Sequence, residues 1–240
     1  MLYCIYRLSD NGYPKEKFAF ATKMHCLENL HRTCSSGFGV EIHLLVDVTN
    51  LKDETRTAVK KFSDDTQSPL TFYTGGSSAG SWRFAADYAL RIDQLGDDDY
   101  LYLLEDDYLH KQDWTRILIE GLRVADYVSL YDHPDKYLPA SKGGNQYVGE
   151  DGGEVTKVIL TKSSHWKMTN STTMTLATKV STFKEDKPIW DKWTTGSYPH
   201  DFNAFIELRQ KGRSLITPIP AWSTHCLPDW AAPLVDWSII

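Results

Sequence analysis

Apolar residues in this chain recur with two different periods. Short, nearly continuous apolar runs occupy residues 2–8 (LYCIYRL), 40–48 (VEIHLLVDV), 70–73 (LTFY), 100–104 (YLYLL) and 127–131 (YVSLY). Each has the length of a buried strand. Between them apolar positions fall at helical spacing: Met24, Leu27, Leu30 and Cys34; then Leu51, Ala58, Val59 and Phe62; then Phe84, Tyr88 and Ile92, flanked by Ala85 and Ala89; then Trp114, Ile117, Leu118 and Leu122. Turn residues separate the segments: SDNG at 9–12 followed by Pro14, and Gly37 with Gly39. Asn50 and Asp113 are placed to cap the second and fourth helices. Strict alternation of strand and helix predicts an α/β fold, with a mostly parallel central sheet flanked by helices on both faces.

Beyond about residue 135 the pattern changes. Gly143, Gly144, Gly149, Gly152 and Gly153 crowd one weakly apolar excursion, read as a loop that orders around a ligand or as a surface insertion. Residues 155–161 and 172–178 alternate as strands do around a polar turn holding Trp166, which predicts a small hairpin. A last helix starts near Asp201, buries Phe202, Phe205 and Ile206, and stops at Gly212 before a final strand over 214–220.

Composition narrows the class without naming it. At 240 residues the chain suits one domain, and 41% hydrophobic with 24% charged residues is ordinary for a globular protein. A net charge of −6 argues against a nucleic-acid partner, which needs a basic surface. The four cysteines lack CxxC spacing, so free thiols in a reducing compartment are expected. Neither a membrane span nor a signal-peptide core is evident, which places the expected location in the cytoplasm.

Candidate chemistry begins where the 100–104 run ends in Glu105, Asp106 and Asp107. In open α/β sheets ligands bind at the carboxyl ends of the strands. Adjacent carboxylates there repel unless a cation or hydrogen-bond donors compensate. Their hard oxygens suit Mg²⁺ or Mn²⁺ with a substrate phosphate; the competing reading is an acidic loop before the helix near Asp113. The small residues at 75–80 fit neither GxGxxG nor GxxxxGK[ST] spacing, yet would let an anion approach a helix N-terminus. Arg83 reads as a first-turn residue opposed by the helix dipole, which suggests a role toward a diphosphate or the carboxylates.

A strand ending in EDD resembles the DXD-type motif of GT-A glycosyltransferases, in the form seen in N-acetylglucosaminyltransferases and family-2-like enzymes. The string STHC at 223–226 followed by LPDWAAPLVDW is similar to the ends of family-2-like sequences. The resemblance spans residues 2 to about 237 and implies one domain over 1–240, with a nucleotide-sugar half (1–135) and an acceptor-binding, catalytic half (136–240). It implies that Asp107 and His225 hold Mn²⁺ or Mg²⁺, and that Glu105 and Asp106 contact the donor. Arg7, Ser9, Asp10, Asp47 and Arg83 are further donor candidates by position. Arg7 can equally pair with a carboxylate, and Asp47 can equally be a strand-end turn residue. Trp190, Trp193 and His200 are acceptor-side candidates, with core packing the alternative for the indoles. Asp201 matches the general base that inverting members carry at the start of a late helix, there kept ionised by the dipole; plain helix capping is its other reading. The implied partners are a nucleoside diphosphate sugar, with UDP favoured, and a glycan or other hydroxyl acceptor. A nucleotidyltransferase would want a basic, Gly-rich first loop, which residues 9–17 supply only in part. A non-catalytic carbohydrate-binding domain would not need acids at all three places.

Overall fold

The computed structural model describes residues 1–11 and 16–240, and the statements below concern those residues. The chain lays down β1 (Leu2–Ser9), α1 (Lys23–Arg32), β2 (Val40–Asp47), α2 (Asp53–Thr66), β3 (Leu70–Tyr73), α3 (Ser78–Ala89) and β4 (Tyr100–Glu105). These strands pair in parallel in the order β3-β2-β1-β4. Alternation along β1 sends Leu2, Cys4, Tyr6 and Leu8 into one core with Leu27 and Leu30 of α1 and Val59 and Phe62 of α2. Tyr3 and Ile5 face the opposite core with Trp82 and Ala85 of α3. A strand covered on both faces must be apolar on both, which explains the continuous runs in the sequence.

The second half continues through β5 (Tyr108–His110), α4 (Trp114–Leu122), β6 (Tyr127–Val128), β7 (Val158–Leu160), β8 (His165–Met168) and β9 (Leu176–Lys179). After them come α5 (Val180–Trp193), α6 (Asp201–Gln210), β10 (Leu215–Ile219) and β11 (Ser223–His225). The complete sheet has nine strands in the order β3-β2-β1-β4-β9-β6-β10-β8-β7, while β11 and β5 form a two-stranded ribbon. Within the nine, β9 and β8 run against the rest, so the sheet is mostly parallel.

Several local expectations change. The hairpin forms between β7 and β8, with Trp166 inside β8 and fully buried. Residues 176–179 leave it and enter the sheet between β4 and β6. Both segments alternate, and alternation alone does not name a strand's partner. Asn50 adopts a left-handed conformation (φ 55°) and does not cap α2. Lys52 occupies the cap position, and its amide donates to Asp10 Oδ2 at 3.0 Å. Asp113 precedes α4 at φ 66° and makes no side-chain cap. The glycine excursion folds back on the protein: the Asn145 amide donates to the Asp135 carbonyl, and Tyr147 stacks on Phe202 with centroids 5.6 Å apart. Among the described residues no helix is long and apolar enough to cross a membrane.

Trp190 belongs to the core and does not face an acceptor. It is 0% exposed, lies 5.3 Å from the Trp82 ring, and donates from Nε1 to the Tyr127 hydroxyl at 3.1 Å. α5 escapes sequence reading because Pro188 sits inside it; Val180, Phe183 and Trp190 hold its buried face. Trp190→Ala should therefore lower unfolding free energy by about 3–5 kcal/mol, read by urea denaturation. An unchanged denaturation midpoint would return the indole to the acceptor side.

Candidate active site

β4 is a conveyor for charge: Leu101, Tyr102, Leu103 and Leu104 are all buried, each gaining roughly 1.5–3 kcal/mol for the aliphatic side chains. That burial fixes the strand's end, so Glu105, Asp106 and Asp107 must emerge at the carboxyl edge of the sheet. A cleft of about 660 Å³ opens there. Arg7 and Ser9 of β1, Asp47 of β2, the loop before α3, the acidic run and His225 of β11 all line it. A second cavity of about 160 Å³ lies between α6, β8 and β10 and shares no lining residue with the cleft.

Each carboxylate of the run has its own cation. Parallel pairing sets Arg7 beside Glu105, and Arg7 Nη2 stands 3.5 Å from Glu105 Oε1 while its guanidinium lies over the Trp82 ring. Burial raises the Glu105 carboxyl; Arg7 opposes the shift, and the charges of Asp107 and Asp201 add to it. Asp106 Oδ2 accepts from the Ser9 amide at 2.8 Å and from Lys23 Nζ at 2.6 Å. Asp107 Oδ2 lies 3.0 Å from Lys17 Nζ and 3.2 Å from His225 Nε2. Burial would push the Asp107 carboxyl up, but the hydrogen bond and charge of His225, with Lys17, hold it well below the usual carboxylate range.

His225 reaches Asp107 because β11 pairs with β5, placing His225 opposite Tyr108. The imidazole stacks on the Tyr108 ring at 5.1 Å and 10°, and the Cys226 amide donates to the Asp107 carbonyl at 2.8 Å. One oxygen donor and one nitrogen donor thus meet at a single place. Among the described residues no group of three or more His, Cys, Asp or Glu does so. A pair suits a divalent cation that takes its remaining ligands from substrate phosphate and water, and the Lys17 ammonium on Asp107 shows that the position accepts positive charge.

On the opposite wall the 75–80 loop supplies Gly76, Ser77 and Ser78. Ser77 Oγ caps α3 by accepting the Gly80 amide at 3.0 Å. A Cβ on Gly80 would lie 2.1 Å from the Gly75 carbonyl, so only glycine fits this close turn. Asp47 Oδ1 accepts the Thr49 amide at 2.9 Å, a strand-end turn contact, and the residue lines the cleft.

Asp201 opens α6, as its position in the sequence suggests, and its Oδ1 accepts the Phe202 amide at 2.7 Å. It does not line the cleft wall, yet its charge reaches Glu105. The dipole does not dominate its ionisation. Burial pushes the Asp201 carboxyl up to about 6, against the Phe202 amide and Lys136, and with Asp135 adding to the rise.

Other candidates fall outside the cleft lining. Asp10 instead holds the start of α2. Arg83 lies in the second turn of α3, not the first, because the helix begins at Ser78. Trp193 donates from Nε1 to Glu207 at 2.7 Å, and the exposed His200 ring stands edge-on to it at 6.4 Å. Sequence reasoning missed Lys17, in the loop ahead of α1, Lys23, the first residue of α1, and Tyr198, all of which line the cleft.

The strand order, the helices on both faces and a site at the end of β4 define the GT-A fold. Among solved structures the chain is similar to GalNAc-T7 crystallised with UDP, GalNAc and Mn²⁺, at a TM-score of 0.63 and 13% identity over 96% of this chain. It spans 45% of that protein's length. The galactosyltransferase LgtC, in complex with donor and acceptor sugar analogues, also matches, at a TM-score of 0.47 and 11% identity over 86% of this chain and 69% of its own. No protein-family model matches the chain, and no curated protein does so by sequence.

The raised Asp201 carboxyl has a thermodynamic sign. A carboxyl whose folded-state pKa exceeds its unfolded value of about 3.9 favours the fold most when protonated. That contribution is complete below about pH 4 and disappears as pH rises through about 6. Asp201→Asn fixes the neutral form, so its melting temperature should gain on the wild type between pH 5 and pH 8. A constant difference across that range, measured by calorimetry, would restore a carboxylate ionised throughout.

Proposed function

We propose that the protein is a metal-dependent, inverting glycosyltransferase that moves a sugar from a nucleoside diphosphate sugar, UDP favoured, to a hydroxyl of a glycan or similar acceptor. The observation that carries the reading is the convergence of Asp107 and His225 on one position at the carboxyl edge of a GT-A sheet. The neighbour GalNAc-T7, crystallised with UDP and Mn²⁺, supports the donor and metal classes. A nitrogen ligand beside an oxygen tilts the choice from Mg²⁺ toward Mn²⁺.

Residues 1–135 carry the donor side in this reading. Asp47 and Ser9 face the nucleoside, Arg7 holds Glu105, and Glu105 and Asp106 border the ribose and sugar. A bound divalent cation would supply Lewis-acid neutralisation of the diphosphate leaving group. Residues 136–240 carry the acceptor side, with His200 and Trp193 at its rim. Asp201 takes the proton from the acceptor hydroxyl, and a carboxyl titrating near 6 is a stronger base than an ordinary aspartate while still ionised at neutral pH. One displacement assisted by that base inverts the anomeric carbon.

Asp107→Ala and His225→Ala should each weaken Mn²⁺-dependent UDP or GDP binding in calorimetry. Metal-dependent binding that survives both substitutions removes the cation assignment. Asp201→Asn should cut turnover by about 10²-fold or more with nucleotide affinity intact. The wild-type kcat should rise with pH through about 6 as Asp201 ionises. Near-normal turnover in that variant makes Asp201 a helix-start residue and favours a retaining route.

A further inference from the structure

Two lysines contact the acidic run, and they are held differently. Lys23 Nζ bonds Asp106 Oδ2 at 2.6 Å and the Ser9 carbonyl, and the Ser9 amide returns to the same carboxylate oxygen. That closed set ties the end of β1 to the end of β4 through the first residue of α1. Lys17 has no such set. Among the described residues its ammonium hydrogen-bonds to Asp107 alone, at 3.0 Å, from a side chain 30% exposed in the cleft.

The oxygen that Lys17 occupies is the one His225 Nε2 approaches to 3.2 Å. A divalent cation held between the closest atoms of Asp107 and His225 would use that same oxygen. An ammonium left within a few ångströms of it would face two like charges, which is costly even in a solvated cleft. Lysine is a compact charge on a flexible four-carbon stem, so it can leave without backbone movement.

We propose that Lys17 is a tethered cation that competes with a divalent cation for Asp107 and transfers to the donor's diphosphate when the divalent cation takes its place. Lys17 is thereby a further donor-binding residue. The proposal rests on Asp107 and His225 being the cation pair. No covalent bond changes: one ammonium–carboxylate contact is exchanged for a cation–carboxylate contact and an ammonium–phosphate contact. When metal arrives alone, the ammonium is displaced with no anion to receive it. When metal and diphosphate arrive together, every charge finds a partner. The cleft is thus built to bind the two together and to resist the metal by itself.

The test measures free Mn²⁺ by electron paramagnetic resonance in titrations of the full chain, with and without UDP or GDP. Lys17→Met keeps the length of the side chain and removes its charge; Lys17→Arg keeps the charge. With the competitor gone, Lys17→Met should bind Mn²⁺ alone about tenfold more tightly, and the nucleotide's enhancement of Mn²⁺ affinity should shrink by about tenfold. Lys17→Arg should stay near the wild type in both. Unchanged or weaker Mn²⁺ binding in a folded Lys17→Met protein, where the wild type does bind Mn²⁺, overturns the tethered cation and leaves the metal pair standing. Absence of Mn²⁺ binding in wild type and variant alike, with or without nucleotide, overturns the metal pair and the proposal together.

Discussion

Three consecutive carboxylates cannot share the end of a buried strand unless each is compensated, and the architecture around β4 follows from that constraint. Arg7 answers Glu105 from the adjacent strand, Lys23 answers Asp106 from the start of α1, and Lys17 with His225 answers Asp107. The partners come from opposite ends of the sequence, so folding of the whole chain is needed to neutralise three neighbouring residues. Compensation is also unequal. Glu105 keeps a raised carboxyl despite its arginine, whereas Asp107 is held low. Desolvation wins at the first position, and hydrogen bonding with charge wins at the third. Of these two, the firmer negative charge lies where His225 arrives.

The same competition is decided differently at Asp201. A helix N-terminus favours an ionised carboxylate by a few tenths of a kcal/mol to about 1 kcal/mol at exposed sites. At Asp201 desolvation exceeds that gain: the Phe202 amide and the residue's own amide pull the carboxyl down, the nearby Lys136 and Asp135 have opposing effects, and burial still outweighs them. A residue chosen from its position in sequence thus keeps its place while its electrostatic character changes.

The first half of the fold was legible because every buried strand there is a continuous apolar run and α1, α2 and α4 bury the apolar stripes expected of them. α3 instead buries Trp82, Ala85, Ala86 and Ala89, with Phe84 and Tyr88 half-buried and Ile92 past its end. β1, β2, β3 and β4 lie within a residue or two of their sequence runs. The second half was less legible. β6 is cut to Tyr127–Val128, α5 is masked by Pro188, and the partners of β8 and β9 depend on the rest of the sheet. Of the site, the acidic run, His225, Arg7, Ser9 and Asp47 meet in one cleft as sequence order suggests. Asp10 does not, because its carboxylate is taken by the Lys52 amide at the start of α2, and Arg83 does not, because α3 starts at Ser78 and puts it in the second turn. Lys17 and Lys23 were invisible for a different reason: a lysine gives no sign in sequence of which carboxylate it will reach.

The position of β9 has a consequence for how such a chain can vary. Tyr102 of β4, Ala177 of β9 and Val128 of β6 stand in one cross-strand row, and Leu101, Thr178 and Tyr127 in the next. β9, which follows residue 135, is the filling between β4 and β6, which precede it, so there is no separable seam along residue 135. The two sides cannot be exchanged between relatives as cassettes. A graft that brought a new acceptor side would import a new β9 and have to match it against resident β4 and β6 at every side chain. Variation is easier where side chains stand outside these rows, as at the exposed Val158 and Leu160 of the edge strand β7.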